Sequence, residues 1–298
     1  MFKYRLISGT VLTSIVLSSL FIEGQGGAIV FTLLALVMLA GGMREFFYMT
    51  SKIKLPGYSG ISILSAASLV LLVAVPAILG KGSNDTQSLA VTACLSAVVI
   101  CGFIRAMREE DLKSGLQKQL ISLAGFLYIA WSLSFLMRLY FAEGIAMSGR
   151  YLLVYLVVVT KCSDIGAYCT GMTCHKLSGG KNHKIAPRLS PGKSWEGFFG
   201  GMALSVGIAL YMESAFGVKL NFAGMDVITP LAAVIIGMIA ATLGFIGDVC
   251  ESIFKRSADV KDSGNTIPGM GGVLDVLDSL ILVAPLFYLF LQISTKLV

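Results

Sequence analysis

The stretch GAIVFTLLALVMLAGGMREFF, residues 27–47, decides the fold, because its first seventeen residues carry no charge. About 20 apolar residues form a helix that crosses the roughly 30 Å hydrocarbon core of a bilayer. The whole chain has a similar composition: 56% of its 298 residues are hydrophobic and 13% are charged, against about 25% charged in soluble domains. The sequence therefore predicts an all-α, polytopic integral membrane protein.

Comparable apolar runs recur along the chain. The first follows Lys3 and Arg5 but lacks the A-x-A-like cleavage site of a signal peptide, so we expect it to be an uncleaved helix. Together the runs predict about nine transmembrane helices, at residues 6–22, 27–47, 60–80, 86–104, 119–142, 149–171, 195–216, 229–254 and 273–295.

The distribution of basic residues predicts the orientation. Most lysines and arginines fall in loops on one side of the membrane if the N-terminus is cytoplasmic, as the positive-inside rule requires. The net charge of +6 is then a bias of the cytoplasmic face toward anionic lipid headgroups, and no nucleic-acid partner is expected. The six cysteines form no C-x-x-C pair, which favours reduced, packed thiols.

Charged residues divide the chain into two regions. The apolar runs of residues 1–147 are almost free of charge, which is typical of a transmembrane scaffold. Within residues 148–298, charges enter the apolar runs. Each such charge costs at least about 2.5 to 3.5 kcal/mol on insertion scales and marks a candidate functional site. We therefore predict that residues 148–298 form the catalytic region.

Acidic side chains in this region share helix faces. Spacings of three or four residues place Lys161 beside Asp164 and Asp275 beside Asp278. A third face carries Asp248, Glu251, Ser252 and Lys255. Converging carboxylates repel one another unless a cation lies between them, and magnesium binds one or two carboxylates together with substrate phosphates. A magnesium site is the favoured interpretation, and interhelical salt bridges such as Lys161 with Asp164 are the alternative.

Two loops beside these helices have the composition of phosphate sites. GGKNHKIAPRLSPGKSWEGFFGG, residues 179–201, gathers five residues that carry or can carry positive charge and then opens a helix, whose free amides favour anions. IPGMGGVLD, residues 267–275, is a second glycine-rich turn before a helix. Neither is a Walker A motif. A positively charged loop on the membrane surface is the alternative for the first.

The residue types favour one class of chemistry. No Ser-His-Asp or Cys-His arrangement is evident. The chain has two histidines, His175 and His183, which lie close together in the sequence. A phosphomonoester, whose second pKa is about 6, is already an oxyanion at neutral pH and needs no strong general base. Metal-assisted transfer at phosphorus, catalysed by positioning and charge neutralisation, is therefore predicted.

Residues 252–279 resemble the signature of the phosphatidate cytidylyltransferase (CDP-diacylglycerol synthase) family, S-x-x-K-R-x4-K-D-x-G followed by P-G-H-G-G-x-x-D-R-x-D. The matching positions are Ser252, Lys255, Arg256, Lys261, Asp262, Gly264, Pro268, Gly269, Gly271, Gly272, Asp275 and Asp278. Residues 163–171, SDIGAYCTG, and 184–201, KIAPRLSPGKSWEGFFGG, are similar to two further segments of that family.

The resemblance implies a nucleotidyltransferase that converts CTP and phosphatidate to CDP-diacylglycerol and pyrophosphate with magnesium, at the cytoplasmic face of a bacterial inner membrane. It implies Asp248 and Asp275 as first metal ligands, with Asp164 and Asp278 as supporting or second-cation ligands. It assigns catalysis to Asp248, Asp275, Ser252 and Lys255, and substrate binding to Lys193, Ser194, Arg256, Lys261, Asp262, Gly271, Gly272 and Asp164.

Two positions depart from the family pattern: Met270 replaces its usual histidine and Val276 its usual arginine. A thioether cannot donate a proton, so any phosphate contact of that histidine is lost. A CTP-dependent polyisoprenoid kinase and a transporter of anionic substrates are the alternative functions. The spacing of Gly197 and Gly201 suits helix packing either within one protomer or across a homodimer.

Overall fold

A computed structural model describes residues 2–22, 24–142, 147–216, 220, 222–225 and 227–297. Its helices are α1 Phe2–Phe21, α2 Gln25–Lys52, α3 Ser59–Ile78, α4 Asn84–Ala106, α5 Leu112–Gly125, α6 Ser132–Tyr140, α7 Met147–Leu177, α8 Trp195–Phe216, α9 Pro230–Ser257 and α10 Leu274–Leu297. One short antiparallel pair, β1 Lys184–Ala186 and β2 Ser190–Ser194, lies between α7 and α8.

The predicted all-α membrane architecture is confirmed, since each predicted apolar run coincides with a helix. Among the described residues, eight helical segments are long and apolar enough to cross a membrane. One of them, Leu112–Tyr140, joins α5 to α6 through the π-helical turn Phe126–Trp131. Helices suit this setting because they satisfy their own backbone hydrogen bonds in lipid. A ninth span formed by α1 and a cytoplasmic N-terminus stay predictions.

Contacts between residues divide the chain into two compact units. The first contains Met1–Met147 and Phe254–Leu277, and the second contains Ser148–Ile253 and Asp278–Val298. The first unit therefore includes much of the stretch that resembles the family signature. The functional division into a scaffold of residues 1–147 and a catalytic region of residues 148–298 stays a prediction.

Aromatic packing connects the segments of the first unit. The rings of Phe46 on α2 and Tyr128 in the π-helical turn have centroids 5.3 and 5.5 Å from that of Phe254. Phe46 is almost fully buried. Such ring pairs contribute about 0.5 to 1.5 kcal/mol beyond the area they bury. They hold the segment that begins at Phe254 against α2.

Small residues bring α7 and α8 of the second unit close together. A Cβ atom added at Gly201 would lie 2.6 Å from the carbonyl oxygen of Ser163, and one at Gly197 would lie 2.8 Å from that of Ala167. Only glycine permits this approach at either position. The spacing of Gly197 and Gly201 thus serves packing within one protomer, the first of the two possibilities raised by the sequence.

The loop expected at residues 179–201 contains a β-hairpin instead. Lys184 pairs with Ser194 and Ala186 pairs with Ser190. Side chains fix its base: Asn182 Nδ2 donates a hydrogen bond of 2.8 Å to the carbonyl oxygen of Gly171. β2 contains a proline and a glycine, residue types that are uncommon in strands, which explains why local composition indicated only a loop.

Candidate active site

Three carboxylates of the second unit form an acid cluster, composed of Asp248, Glu251 and Asp278. One oxygen atom from each lies within 4.8 Å of the other two. Asp248 and Glu251 are three residues apart on α9, and Asp278 belongs to the first turns of α10. Glu251 is fully buried and Asp278 nearly so. A Cβ atom at Gly247 would overlap the carbonyl oxygen of Asp278, so this glycine permits α9 and α10 to approach closely here.

Two lysines neutralise part of the acid cluster. Lys193 Nζ lies 2.9 Å from Asp248 Oδ2 and above the Phe245 ring, 4.5 Å from its centroid. Lys161 Nζ lies 3.9 Å from Asp278 Oδ1 and 3.4 Å from Asp164 Oδ2. The Lys161–Asp164 salt bridge considered as an alternative therefore exists beside the acid cluster. The two interpretations of the charged helix faces are compatible.

The acid cluster fits a hard divalent cation. Its donors are carboxylate oxygens from two helices, the ligand type that magnesium prefers. With all groups ionised, Asp164 and the three cluster acids against Lys161 and Lys193 leave a formal charge of −2. Carboxylates this close repel one another unless a cation or proton relieves them. One divalent cation would balance the charge.

The first unit holds a second arrangement, around Asp275 at the start of α10. Its Oδ1 atom accepts a 2.7 Å hydrogen bond from Lys255 Nζ. Its Oδ2 atom accepts hydrogen bonds from the amides of Gly272, at 2.8 Å, and Ser263, at 2.9 Å, and lies 3.0 Å from Ser263 Oγ. Both oxygens of this predicted metal ligand therefore have donors from the chain itself.

These donors belong to the signature loop, defined as residues 262–273. The loop makes a tight turn in which the Ile267 amide donates to the Gly271 carbonyl and the Gly271 amide to the Ile267 carbonyl, at 2.9 and 3.1 Å. Gly271 has φ +100°, a conformation that other residues avoid. Met270, the departure from the family pattern, lies in this turn and donates its amide to the Ile267 carbonyl at 3.0 Å.

A buried carboxylate that the sequence analysis did not select also binds the signature loop. Glu45 Oε1 accepts hydrogen bonds from Thr266 Oγ1, at 2.8 Å, and the Val273 amide, at 2.9 Å. Glu45 Oε2 accepts the Leu274 amide at 2.9 Å and lies 2.9 Å from Ser263 Oγ. An acid at the end of the long apolar run of α2 was the available signal, because charge within a span is expensive.

The other predicted site residues have varied surroundings. Ser194 is buried, and its hydroxyl caps α8 by accepting the Gly197 amide at 3.2 Å. Ser252 is buried on α9. Arg256 donates to the Val260 carbonyl at 3.2 Å, and Lys261 and Asp262 are exposed. Their substrate contacts stay predictions.

Of the four predicted metal ligands, the structure groups Asp248 with Asp278 and adds Glu251, which shares the Asp248 helix face. Asp164 contacts Lys161 and the Ser279 hydroxyl, and Asp275 contacts Lys255 and the signature loop. An ion shared by Asp248 and Asp275 stays a prediction.

Residues 3–294 match the sequence profile described as the cytidylyltransferase family. The chain belongs to the cytidylyltransferase family. It is similar to the phosphatidate cytidylyltransferases of Bacillus subtilis, at 28% identity over 98% of both chains, and of Brucella suis, at 30% identity over 96% of this chain and 92% of the relative. The Haemophilus influenzae phosphatidate cytidylyltransferase is 36% identical, over 48% of this chain and 46% of that protein.

These matches bear on the two regions of this cytidylyltransferase-family protein. The Haemophilus influenzae alignment spans about half of each chain, whereas the Bacillus subtilis and Brucella suis alignments include nearly all of both. Family membership therefore extends over both residues 1–147 and residues 148–298. It also disfavours the transporter interpretation of the intramembrane charges.

Proposed function

We propose that this protein transfers the cytidylyl group of CTP to phosphatidate, giving CDP-diacylglycerol and pyrophosphate. The acid cluster of Asp248, Glu251 and Asp278 is the observation that carries the proposal, because a membrane-embedded site for a divalent cation is what a nucleoside triphosphate needs beside a lipid. The names of the Bacillus subtilis and Brucella suis relatives support the same substrates.

The proposed reaction needs little proton chemistry. An oxygen of the phosphatidate phosphomonoester attacks the α-phosphorus of CTP and forms a new P–O bond. The bond between the α-phosphorus and the oxygen bridging to the β-phosphorus breaks, and pyrophosphate leaves with the electron pair. The nucleophile is an oxyanion at neutral pH, so the protein has to orient the two phosphates and offset their mutual repulsion.

Magnesium held by Asp248, Glu251 and Asp278 would supply charge neutralisation at the triphosphate. Lys193 keeps Asp248 in place, and Lys161 does the same for Asp278. Three cations lie at the end of α9: Lys255 and Arg256 belong to its last turn, and Lys261 follows it. We propose that they bind phosphates and stabilise the pyrophosphate leaving group. The resemblance gave Asp275 as a first ligand and Asp164 as a supporting one, and we propose both as candidate ligands for a second cation.

The chain is an integral membrane protein, and we place it in the bacterial inner membrane because its relatives are bacterial. The bias of lysine and arginine supports a site at the cytoplasmic face, where CTP is available. Phosphatidate is a membrane lipid and reaches this face by diffusion within the bilayer. The membrane lipids therefore surround the protein and also supply one of its proposed substrates.

The test is turnover by the purified protein in detergent micelles containing phosphatidate. CTP and magnesium should yield pyrophosphate and CDP-diacylglycerol in equal amounts, and EDTA should abolish both. Asp248→Asn should reduce turnover by about 10²- to 10³-fold, since ligand loss removes charge stabilisation of the size found for single electrostatic groups. Glu109→Gln is the matched control, because Glu109 also pairs with a lysine, Lys118, at 2.7 Å.

Two results would contradict the proposal. Release of CDP in place of pyrophosphate would show transfer of the γ-phosphoryl group, as in a polyisoprenoid kinase. Full activity of Asp248→Asn, with a size-exclusion profile like that of the wild type, would remove the acid cluster from the reaction.

A further inference from the structure

We propose that Glu45 is a positioning residue, which fixes the signature loop and through it the ammonium group of Lys255. Glu45 lies on α2, in the region that the sequence predicts to be scaffold. The inference about the loop rests on the geometry of the first unit alone. Its consequence for CTP rests on the proposed function.

The Glu45 carboxylate acts as an anion bound at a helix N-terminus. The first amides of a helix have no partner within the helix, and negative charge is favoured there. Glu45 supplies a hydrogen-bond acceptor and a negative charge at this position. It accepts the Val273 and Leu274 amides, each at 2.9 Å, where α10 begins. The side chain is buried, with 6% of its surface exposed, so water competes little for these donors. Thr266 adds a third donor at 2.8 Å.

A shared hydroxyl connects Glu45 to Asp275. Ser263 Oγ lies 2.9 Å from Glu45 Oε2 and 3.0 Å from Asp275 Oδ2. One hydroxyl proton serves two carboxylates, so the position of Ser263 depends on both of them. The other oxygen of Asp275 accepts Lys255 Nζ at 2.7 Å. A continuous series of short contacts therefore leads from Glu45 to Lys255.

Two glycines of the signature loop are independent support for this role. A Cβ atom at Gly264 would lie 2.6 Å from Glu45 Oε1, and one at Gly272 would overlap the Glu45 carboxylate and the Ser263 hydroxyl. Their φ angles lie outside the left-handed region, so space explains them and backbone conformation does not. Gly264 and Gly272 thus make room for the Glu45 carboxylate.

The consequence concerns the use of CTP. Lys255 is proposed to bind a phosphate of the nucleotide, and its position follows from Asp275, Ser263 and Glu45. Removing a residue that orients a ligand-binding group commonly costs 10- to 100-fold in affinity or activity, as for the outer shell of metal sites. Loss of the Glu45 carboxylate should therefore weaken CTP binding while leaving phosphatidate binding intact.

The first experiment is hydrogen–deuterium exchange on the full chain in lipid nanodiscs, for the wild type and Glu45→Gln. Glutamine keeps one acceptor oxygen and places an NH2 group against the remaining donors. Peptides within residues 262–275 should exchange at least about tenfold faster in the variant. The hydrogen bonds to Glu45 are then missing, so local opening of the loop costs less free energy. Glu109→Gln should leave the same peptides unchanged. Equal exchange in wild type and Glu45→Gln would overturn the proposal.

The second experiment separates positioning from a general loss of folded protein. We expect Glu45→Gln to raise KM for CTP about tenfold or more, with KM for phosphatidate within about twofold of the wild type. A smaller fraction of folded protein would lower kcat and leave both KM values unchanged, which would contradict positioning.

Thr266→Val keeps the experiment decisive if Glu45→Gln fails to fold. This change removes one hydroxyl donor and keeps the shape of the side chain and the Glu45 carboxylate. KM for CTP should rise about two- to fivefold, the effect of losing one hydrogen bond of roughly 0.5 to 1 kcal/mol. An unchanged KM would count against the role of Glu45. If the wild type makes no CDP-diacylglycerol, the proposed function fails, and the exchange experiment still decides the inference about the loop.

Discussion

Replacing Lys255 by Met should destabilise the protein far more than replacing Lys118 by Met. Both lysines lie 2.7 Å from a carboxylate, Lys255 from Asp275 and Lys118 from Glu109. The side chains of the first pair are each 11% exposed, and those of the second are 25% and 24% exposed. The two pairs have the same contact distance and differ in burial and in the further hydrogen bonds that Asp275 accepts.

The expected magnitudes follow from the partner left behind. Breaking a buried pair by removing one member costs about 3 to 5 kcal/mol, because a charge remains buried without its counter-ion. Asp275 keeps hydrogen bonds from Ser263 and Gly272, which places Lys255→Met at the lower limit, about 3 kcal/mol. An exposed pair contributes about 0 to 1 kcal/mol. The hydrogen bond from Lys118 lowers the pKa of Glu109, so this carboxylate is ionised and hydrated at pH 7.

Thermal unfolding in one detergent, followed by tryptophan fluorescence, measures the difference. At about 2 °C per kcal/mol for a large domain, Lys255→Met should lower Tm by about 6 °C and Lys118→Met by at most about 2 °C. Raising the salt concentration should reduce the effect of Lys118→Met and leave that of Lys255→Met, since salt screens exposed charges. Equal Tm shifts for the two variants would refute the reasoning from burial.

Three further changes test other parts of the structure. Glu251→Gln should raise the magnesium concentration for half-maximal turnover at least about tenfold, and an unchanged titration would exclude Glu251 as a ligand. Gly201→Ala should cost about 1 to 3 kcal/mol in unfolding free energy, because its Cβ would lie 2.6 Å from a carbonyl oxygen. Gly207→Ala, with open space around it, should be neutral or stabilising, and equal effects of the two changes would contradict the packing. Met270→His should lower KM for CTP if this turn contacts phosphate, and unchanged kinetics would show that it does not.

Hydropathy predicted the helices because a segment that crosses lipid needs apolar side chains and satisfies its backbone hydrogen bonds within the helix. Both requirements are met locally in the sequence. Helical spacing also placed Asp248 and Glu251 on one face and paired Asp275 with Asp278. The family resemblance gave Asp275 as the second first ligand and Asp278 as a supporting one, whereas the acid cluster of the structure contains Asp278. The hairpin at Lys184–Ser194 was not predicted, because β2 contains Pro191 and Gly192, residue types that are uncommon in strands.

Glu45 shows where sequence reasoning stopped. The first 147 residues were assigned to scaffold because their apolar runs hold so few charges, and a single glutamate beside Arg44 was consistent with a helix end at the membrane surface. Its partners, Thr266, Val273 and Leu274, are more than 220 residues away in the sequence. No local pattern contains a pairing over that separation. The cost of burying an acid was the remaining signal, and it applies to α2 as it does to α7.

The signature loop also changes how its glycines are interpreted. The sequence suggested that Gly271 and Gly272 free backbone amides for a phosphate, yet the Gly272 amide donates to Asp275 and the Gly271 amide to Ile267. The amides that begin α10 donate to Glu45. The anions at this helix N-terminus are therefore carboxylates of the chain. A substrate phosphate that binds without displacing them has to rely on cationic side chains, the role that we propose for Lys255.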